Sequence, residues 1–471
     1  MNIMTQPLRP KIGVLALTLE LYEKLAPELR QDRENWVRRE VLPALLKNAE
    51  VLFERSVCRS RDIEAALAGF ETAQADAVLV LLLSYSPSQL ALPALQRTRL
   101  PIVIWNTQEL FAVDQSFASV ELRNNHGVHG TQDLANVLLR AKVSFHYVTS
   151  HLRDADALDE LHDFFAAAAA VRRLRSARIG LLGYPFPGMG DFAVDTTRML
   201  ATLGCSWANL TIKEYIDRAA AAQSAVVGRL VSDYRASYAV APDVTPADLE
   251  STARVELALR GMVADHSLDG LTYQFLVFGD DEWTPTVPFV AASRLMAEGI
   301  GFGGEGDLIS AAATRFLNWL NPPATFSEIF TIDFAGKSIL MSHMGEVNVA
   351  MARRDRKVPL VARPIPITPT LDRQLALVTS LEPGPATFTA LTLDAAGLWR
   401  IIAAPVTVQD FGPLPSLCVP HFKVKPPGDV RQFLTDYARG GGPHHNAVCF
   451  GDARRRLRLA AGMLGAEYCE I

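Results

Sequence analysis

Three segments in the second half of the chain hold side chains that ligate divalent cations. In GIGFGGEGDLISAA (299–312) one carboxylate, Glu305, sits among glycines. The formal GxGxxG match there (Gly301, Gly303, Gly306) suggests a dinucleotide loop, but the motif follows a helical stretch, and Glu305 inside it would repel a pyrophosphate. A loop of small residues that lets one carboxylate reach a cation accounts for it better. Standing alone, it reads equally as a helix C-cap turn with an exposed Glu. In FSEIFTIDFAGKSILMSHMGEVN (326–348), Glu328 lies near the start of one strand and His343 at the end of the next. A hairpin brings both side chains to one spot. In GGGPHHNAVCF (440–450), His444 and His445 follow three glycines and a proline, a pattern that by itself is also that of a flexible polar loop. Together these segments offer two carboxylates and two imidazoles with no thiol. Such a set suits Mn²⁺, Mg²⁺ or Co²⁺ with positions open to substrate, and argues against structural zinc.

A fourth segment, NNHGVHGTQDLANVLLR (124–140), places His126 and His129 in a loop just before a helix. The loop follows the carboxyl end of a strand, where open α/β sheets bind ligands. A helix-entry loop with exposed imidazoles has the same pattern.

The elements that must position these groups are legible from periodicity. Short Val- and Ile-rich runs at 12–19, 50–57, 76–84, 101–106 and 143–150 alternate with helical patterns, the longest from about 21 to 47. An Ala-rich helix through 164–175 closes the unit. This alternation predicts a parallel, doubly wound sheet. A second cycle starts with a strand at 177–185. It continues with helices at 192–203, 213–236 and 246–265, a strand at 270–278 and a helix at 288–300. From 326 to 425 short β runs separated by Gly, Pro and Asp predict an antiparallel barrel or sandwich, and a helix is expected at 454–464. The expected class is α/β: two doubly wound α/β domains, 1–175 and 176–325, then a β-rich, antiparallel barrel-like domain, 326–471.

Composition narrows the function. Apolar residues make up 49% and charged residues 21%, ordinary for a soluble globular protein. A net charge of −5 without a basic stripe argues against nucleic acid as partner. Five scattered cysteines with no CxxC pair point to reduced thiols. The N-terminal run reads directly as a first strand, without the features of a signal peptide. No apolar stretch is long enough for a membrane span. A cytoplasmic protein with no membrane partner is expected.

The four segments, in this order, resemble the L-arabinose isomerase branch of the arabinose/fucose isomerase superfamily. The resemblance is best over PFVAASRLMAEGIGFGGEGDLISAA (288–312) and continues in FSEIFTIDF, SHMGEVN and GGPHHN. Weaker similarity extends to VHG (128–130), PGMGDFAV (187–194) and HFKVKPP (421–427). It implies Glu305, Glu328, His343 and His445 as metal ligands, with Mn²⁺ the first expectation and Co²⁺ or Mg²⁺ the alternatives. Glu305 and Glu328 would share the proton transfer. It places His129 and Met189 against the sugar, with His126, His444 and Leu19 completing the substrate-facing set. The implied fold is two α/β domains and a β-rich domain, assembled as a homotrimer or homohexamer with the site at a subunit boundary. Where the family carries a sugar-contacting Gln near the end of its first strand, TLELY (18–22) puts Leu19, which turns the expectation away from L-arabinose as the sole best substrate. The implied activity is aldose–ketose isomerisation of a pentose or hexose through an enediol. The rivals are a metal-dependent sugar lyase or epimerase, and a sugar-binding protein without catalysis.

Overall fold

The computed structural model describes residues 7–279, 281–363 and 373–471. Residues 1–6, the start of the N-terminal run, lie outside that range. The chain divides into two compact units, Leu8–Arg172 and Arg173–Ile471.

The first unit is built on β1 (Lys11–Leu17), β2 (Glu50–Leu52), β3 (Ala77–Leu82), β4 (Ile102–Asn106) and β5 (His146–Thr149), all parallel in the order β2-β1-β3-β4-β5. Every residue of β3, AVLVLL, is buried. That is why the run is continuously apolar rather than alternating: helices cover both faces of a parallel sheet. Leu15, Leu17, Val78, Val80, Leu82 and Ile104 carry the core on one side, each contributing about 1.5–3 kcal/mol of burial. The helix expected from 21 to 47 is broken. Glu20–Leu25 stops at Ala26, whose φ of −152° and ψ of 68° lie outside the helical region, and Pro27 opens the next helix, Pro27–Trp36. A residue before proline is pushed away from helical dihedrals. The structure also corrects the placement of His129: it stands in the first turn of the helix Val128–Arg140, while His126 stays in the preceding loop.

The second unit holds two larger sheets. β6 (Arg178–Leu182), β7 (Ser206–Leu210), β9 (Gly270–Tyr273) and β10 (Gly301–Gly303) pair in parallel as β10-β9-β6-β7. The intervening β8 (Ala239–Val240) instead joins β13 (Pro359–Arg363) and β14 (Gln374–Leu377) in a small sheet. The helix expected at 192–203 begins only at Thr196, because Asp195 accepts from the N–H groups of Thr197 and Arg198 at 2.8 and 3.1 Å and so caps it. Residues 184–192 are thereby left as a loop. The stretch 213–236 is two helices, Ile212–Ala220 and Ser224–Ser237. The strand expected to reach 278 ends at Tyr273, where the Gln274 side chain caps a single tight turn.

The remaining strands are β11 (Ala324–Asp333), β12 (Ser338–Ser342), β15 (Gly384–Leu393), β16 (Trp399–Val408), β17 (His421–Lys425), β18 (His445–Phe450) and β19 (Glu467–Glu470). Their order is β15-β18-β11-β12-β17-β16, with β16 pairing back along β15. Six antiparallel strands therefore close into a barrel, and β19 adds in parallel to β16. Phe388, Ile402, Val424 and Val448 fill the core together with Phe433 and Tyr437 of the helix Val430–Arg439. No described helix is long and apolar enough to cross a membrane.

Candidate metal centre

The Gly-rich segment forms its site by a strand, a turn and a helix. Gly301–Gly303 is itself a short strand, unlike the helix-then-loop expected of it; glycine carries no β signal, but Gly301 and Gly303 flank Phe302 in register with Gly270–Thr272 of β9. The chain then turns through Gly304, Glu305 and Gly306 into the helix Leu308–Leu320, which Asp307 caps by accepting from the Ser310 N–H at 2.9 Å. The turn lies at the carboxyl end of a parallel strand, the usual ligand-binding edge. Gly304 has no alternative: a Cβ there would stand 2.6 Å from His343 Nε2. Glu305 adopts φ +58°, a left-handed conformation that costs a non-glycine residue about 1–2 kcal/mol. Its carbonyl accepts the Phe186 N–H at 2.9 Å, which helps hold it there. Strain of this kind, held in place by neighbours, is a mark of functional loops.

The barrel supplies the imidazoles. Glu328 on β11 is the direct partner of His445 on β18 on one side and of Ser342 on β12 on the other, and His343 follows Ser342. Glu305, His343 and His445 each offer a ligand atom within 4.8 Å of the other two. Glu328, expected as the fourth ligand, is adjacent but not part of that trio. Its charge is nonetheless felt at His343 and His444.

Both buried histidines are oriented from behind. His445, 1% exposed, shares a 2.9 Å hydrogen bond between Nδ1 and Asp307 Oδ2, and His343, 3% exposed, a 2.7 Å bond between Nδ1 and Glu346 Oε2. Glu346 also accepts from Tyr273 Oη at 2.5 Å and from the Gly345 N–H at 3.0 Å. A carboxylate on Nδ1 fixes the tautomer and leaves Nε2 free to ligate a cation. His445 Nε2 is buried without a hydrogen-bond partner, 3.6 Å from Glu305 Oε2. A buried nitrogen left unpaired at the meeting point of a carboxylate and a second imidazole fits a bound cation well. Phe326 lies edge-on between the two rings, 4.8 Å from His343 and 4.9 Å from His445, and Phe192 stacks on His445 at 5.5 Å and 8°. These rings line the site with apolar surface, and a low local dielectric strengthens each charge interaction.

The electrostatics follow from this packing. Burial pushes the Glu305 carboxyl up, but His444 and the charges of His343 and His445 hold it below the usual carboxylate range. Burial disfavours a charged His343, yet Glu346, then Glu328 and Glu305, raise its pKa. His444 is raised to about 9, chiefly by Glu305 and, against burial, by Asp191. The His444 ring sits between these two carboxylates, Nδ1 2.6 Å from Asp191 Oδ2 and Nε2 3.8 Å from Glu305 Oε2.

The other expected residues are placed as follows. Met189 sits half-buried in the loop that begins with the Phe186–Glu305 backbone bond. Leu19, His126 and His129 belong to the first unit. Leu19 immediately precedes the helix Glu20–Leu25. His126 stacks on Tyr22 and His129 on Tyr85, with the two imidazoles 5.3 Å apart. Gly127 permits that arrangement: a Cβ there would lie 2.5 Å from the Leu82 carbonyl oxygen at the end of β3. Four contributors went unread in the sequence: Asp307, Glu346 as a histidine partner, Tyr273 and Asp191.

Residues 189–322 match the family model of the L-arabinose isomerase central domain, and residues 323–467 that of the L-arabinose isomerase C-terminal domain. The chain is 27% identical over 407 residues to the L-arabinose isomerase of Acidothermus cellulolyticus, covering 84% of this chain and 80% of that one. It is 27% identical over 443 residues to that of a Nocardioides species (90% and 85%), and 25% identical over 415 residues to that of Thermotoga maritima (85% and 82%). The two matched domains run together from residue 189 to 467, more than half of the chain, and the protein is a divergent member of the L-arabinose isomerase family.

Proposed function

We propose that the protein is a divalent-metal-dependent aldose–ketose isomerase acting on a pentose or hexose. The observation that carries this reading is the unpaired, buried Nε2 of His445, aimed with His343 at Glu305 in a chain of this family. Glu305, His343 and His445 would hold the cation, with Glu328 as the fourth ligand and Mn²⁺ the first candidate, Co²⁺ or Mg²⁺ the alternatives. A bound cation would supply Lewis-acid polarisation of two adjacent sugar oxygens.

The protein's own groups carry the protons. In the aldose-to-ketose direction a carboxylate removes the C2 proton of the open-chain sugar, giving a cis-enediolate. A proton returns to C1, and the O2 proton is made good at O1, so the sugar is neither oxidised nor reduced overall. Glu305 and Glu328 are the two carboxylates on hand. Its neighbouring imidazoles keep Glu305 ionised, the form that can accept a proton, though they also weaken it as a base. Phe326 and Phe192 limit water around the enediol.

Leu19 in place of a hydrogen-bonding side chain favours an apolar wall at one part of the sugar pocket, which discriminates weakly among hydroxyl patterns. The reading therefore includes broad specificity, or a best substrate other than L-arabinose. It also includes a homotrimer or homohexamer in the cytoplasm. The test is a panel of aldoses and ketoses, among them L-arabinose, L-fucose, D-arabinose, L-ribulose and D-galactose, assayed with Mn²⁺ and after EDTA treatment. Mn²⁺-dependent interconversion of at least one aldose–ketose pair is expected. Full activity in a demonstrably metal-free preparation, or no turnover of any sugar, overturns the proposal.

A further inference from the structure

Three histidines surround Glu305, and each has a carboxylate at its Nδ1. Two of these pairs, His445–Asp307 and His343–Glu346, are sealed: Asp307 is 0% and Glu346 3% exposed. The third differs. The side chains of His444 and Asp191 are 31% and 38% exposed, and His444 lies outside the trio of converging ligand atoms. Its ring packs against that of His445, centroids 4.1 Å apart, so it stands at the open side of the centre rather than within it.

Asp191 grips His444 twice with one oxygen. Oδ2 accepts the His444 backbone N–H at 2.9 Å and lies 2.6 Å from the ring Nδ1. The first bond fixes where the residue sits and the second fixes which ring nitrogen faces the loop. Nε2 is thereby turned toward Glu305 Oε2. Asp191 is itself located by its neighbours. Phe192 is buried with its ring stacked on His445, and the start of the same loop is tied to the Glu305 carbonyl through the Phe186 N–H. The loop 186–192 is thus fastened to the centre at both ends, and it carries Met189 between them.

We infer that Asp191 is a positioning residue: it holds His444 so that Nε2 is presented beside Glu305 at the accessible side of the centre, where a sugar hydroxyl is bound. Asp191 touches neither the sugar nor the reacting atoms, and it does not support the cation ligands, which have their own carboxylates. This rests on the isomerase reading for the identity of the ligand, but not for the geometry of His444.

The test uses the full-length chain loaded with Mn²⁺ and its Asp191→Ala and Asp191→Asn variants. Losing a hydrogen bond to a charged partner in ligand binding should raise KM for the best sugar of the panel about tenfold or more in Asp191→Ala. The value of kcat should stay within about threefold, the pattern of lost uniform binding. Mn²⁺ affinity by calorimetry should be unchanged. Asp191→Asn keeps an acceptor oxygen and should restore much of KM. An unchanged KM, or a joint loss of kcat and Mn²⁺ affinity, overturns the inference while leaving the isomerase reading intact. If the parent turns over no sugar, that reading falls alone, and ¹⁵N-histidine spectra decide the rest, with His444→Gln assigning the signal. A protonated Nδ1 of His444 in the parent that is lost in Asp191→Ala supports the positioning role; identical spectra overturn it.

Discussion

Replacing Gly304 by alanine adds one methyl group at the point where the candidate cation site is tightest. The new Cβ would stand 2.6 Å from His343 Nε2, 2.7 Å from its Cε1 and 3.1 Å from Phe326 Cζ. Carbon contacts relax to about 3.5–4.0 Å, so the imidazole must withdraw by roughly 1 Å. It has no free direction in which to go. Its Nδ1 is pinned to Glu346, which Tyr273 and Gly345 hold in turn, and Phe326 packs against it in a T-shaped contact. Overpacking of this sort costs about 1–3 kcal/mol, and breaking the Glu346 bond adds about 1.5–3 kcal/mol. Metal–ligand distances tolerate only about 0.2 Å, so a 1 Å retreat removes Nε2 from the ligand set. Mn²⁺ affinity should fall by about 100-fold or more, beyond the 10–100-fold typical of losing an outer-shell partner. Titration calorimetry of the metal-stripped protein measures this, with thermal unfolding in excess EDTA reporting the cost to the fold itself. Gly462→Ala is the control: nothing lies within 4 Å of its Cβ, and alanine inside the helix Arg454–Leu464 should stabilise by up to about 1 kcal/mol. Parent-like Mn²⁺ affinity in a folded Gly304→Ala protein would refute the assignment of His343 Nε2 as a ligand.

The same assays separate the other roles. Glu346→Gln and Asp307→Asn leave the ligands in place but loosen their orientation, and each should weaken Mn²⁺ binding about 10–100-fold in calorimetry; affinities equal to the parent's would remove the carboxylates from the centre's support. Glu305→Gln and Glu328→Gln should each lower kcat by at least about 100-fold, and each should weaken Mn²⁺ binding, since both are proposed as ligands. Parent-like affinity in Glu328→Gln would remove Glu328 from the ligand set, since it already stands outside the converging trio.

Glu305, His343 and His445, which the structure brings together, each stand in a setting that residue type alone makes unusual: a carboxylate among glycines, an imidazole ending an apolar strand, a histidine pair after a Gly-Pro turn. What oriented them was harder to see. Glu346 follows His343 by three residues and Asp307 follows Glu305 by two, so local signals existed, but a histidine–carboxylate pair and a helix cap are common for other reasons. Asp191 gave no local signal at all, since its partner is 253 positions away. The fold was readable where burial on both faces made strands continuously apolar, as in β3. It was misread where a single residue overrides a long pattern. Pro27 breaks a helix that the apolar spacing carries through, and Asp195 delays one by capping it. Gly301–Gly303 passed for a loop because pairing, not propensity, makes it a strand.

The closed barrel has a consequence for how such a centre survives sequence drift. His445, Glu328, Ser342 and His421 form one lateral row across β18, β11, β12 and β17. Sliding any one strand by a residue would send its member of the row to the opposite face. In an open sheet an edge strand is free to slide alone. Here β16 pairs back on β15, so the ladder is a ring with no free edge among its six strands, and sliding any one of them disturbs the pairing on both of its sides. Register is therefore protected by the closed ring as well as by the side chains that face the core.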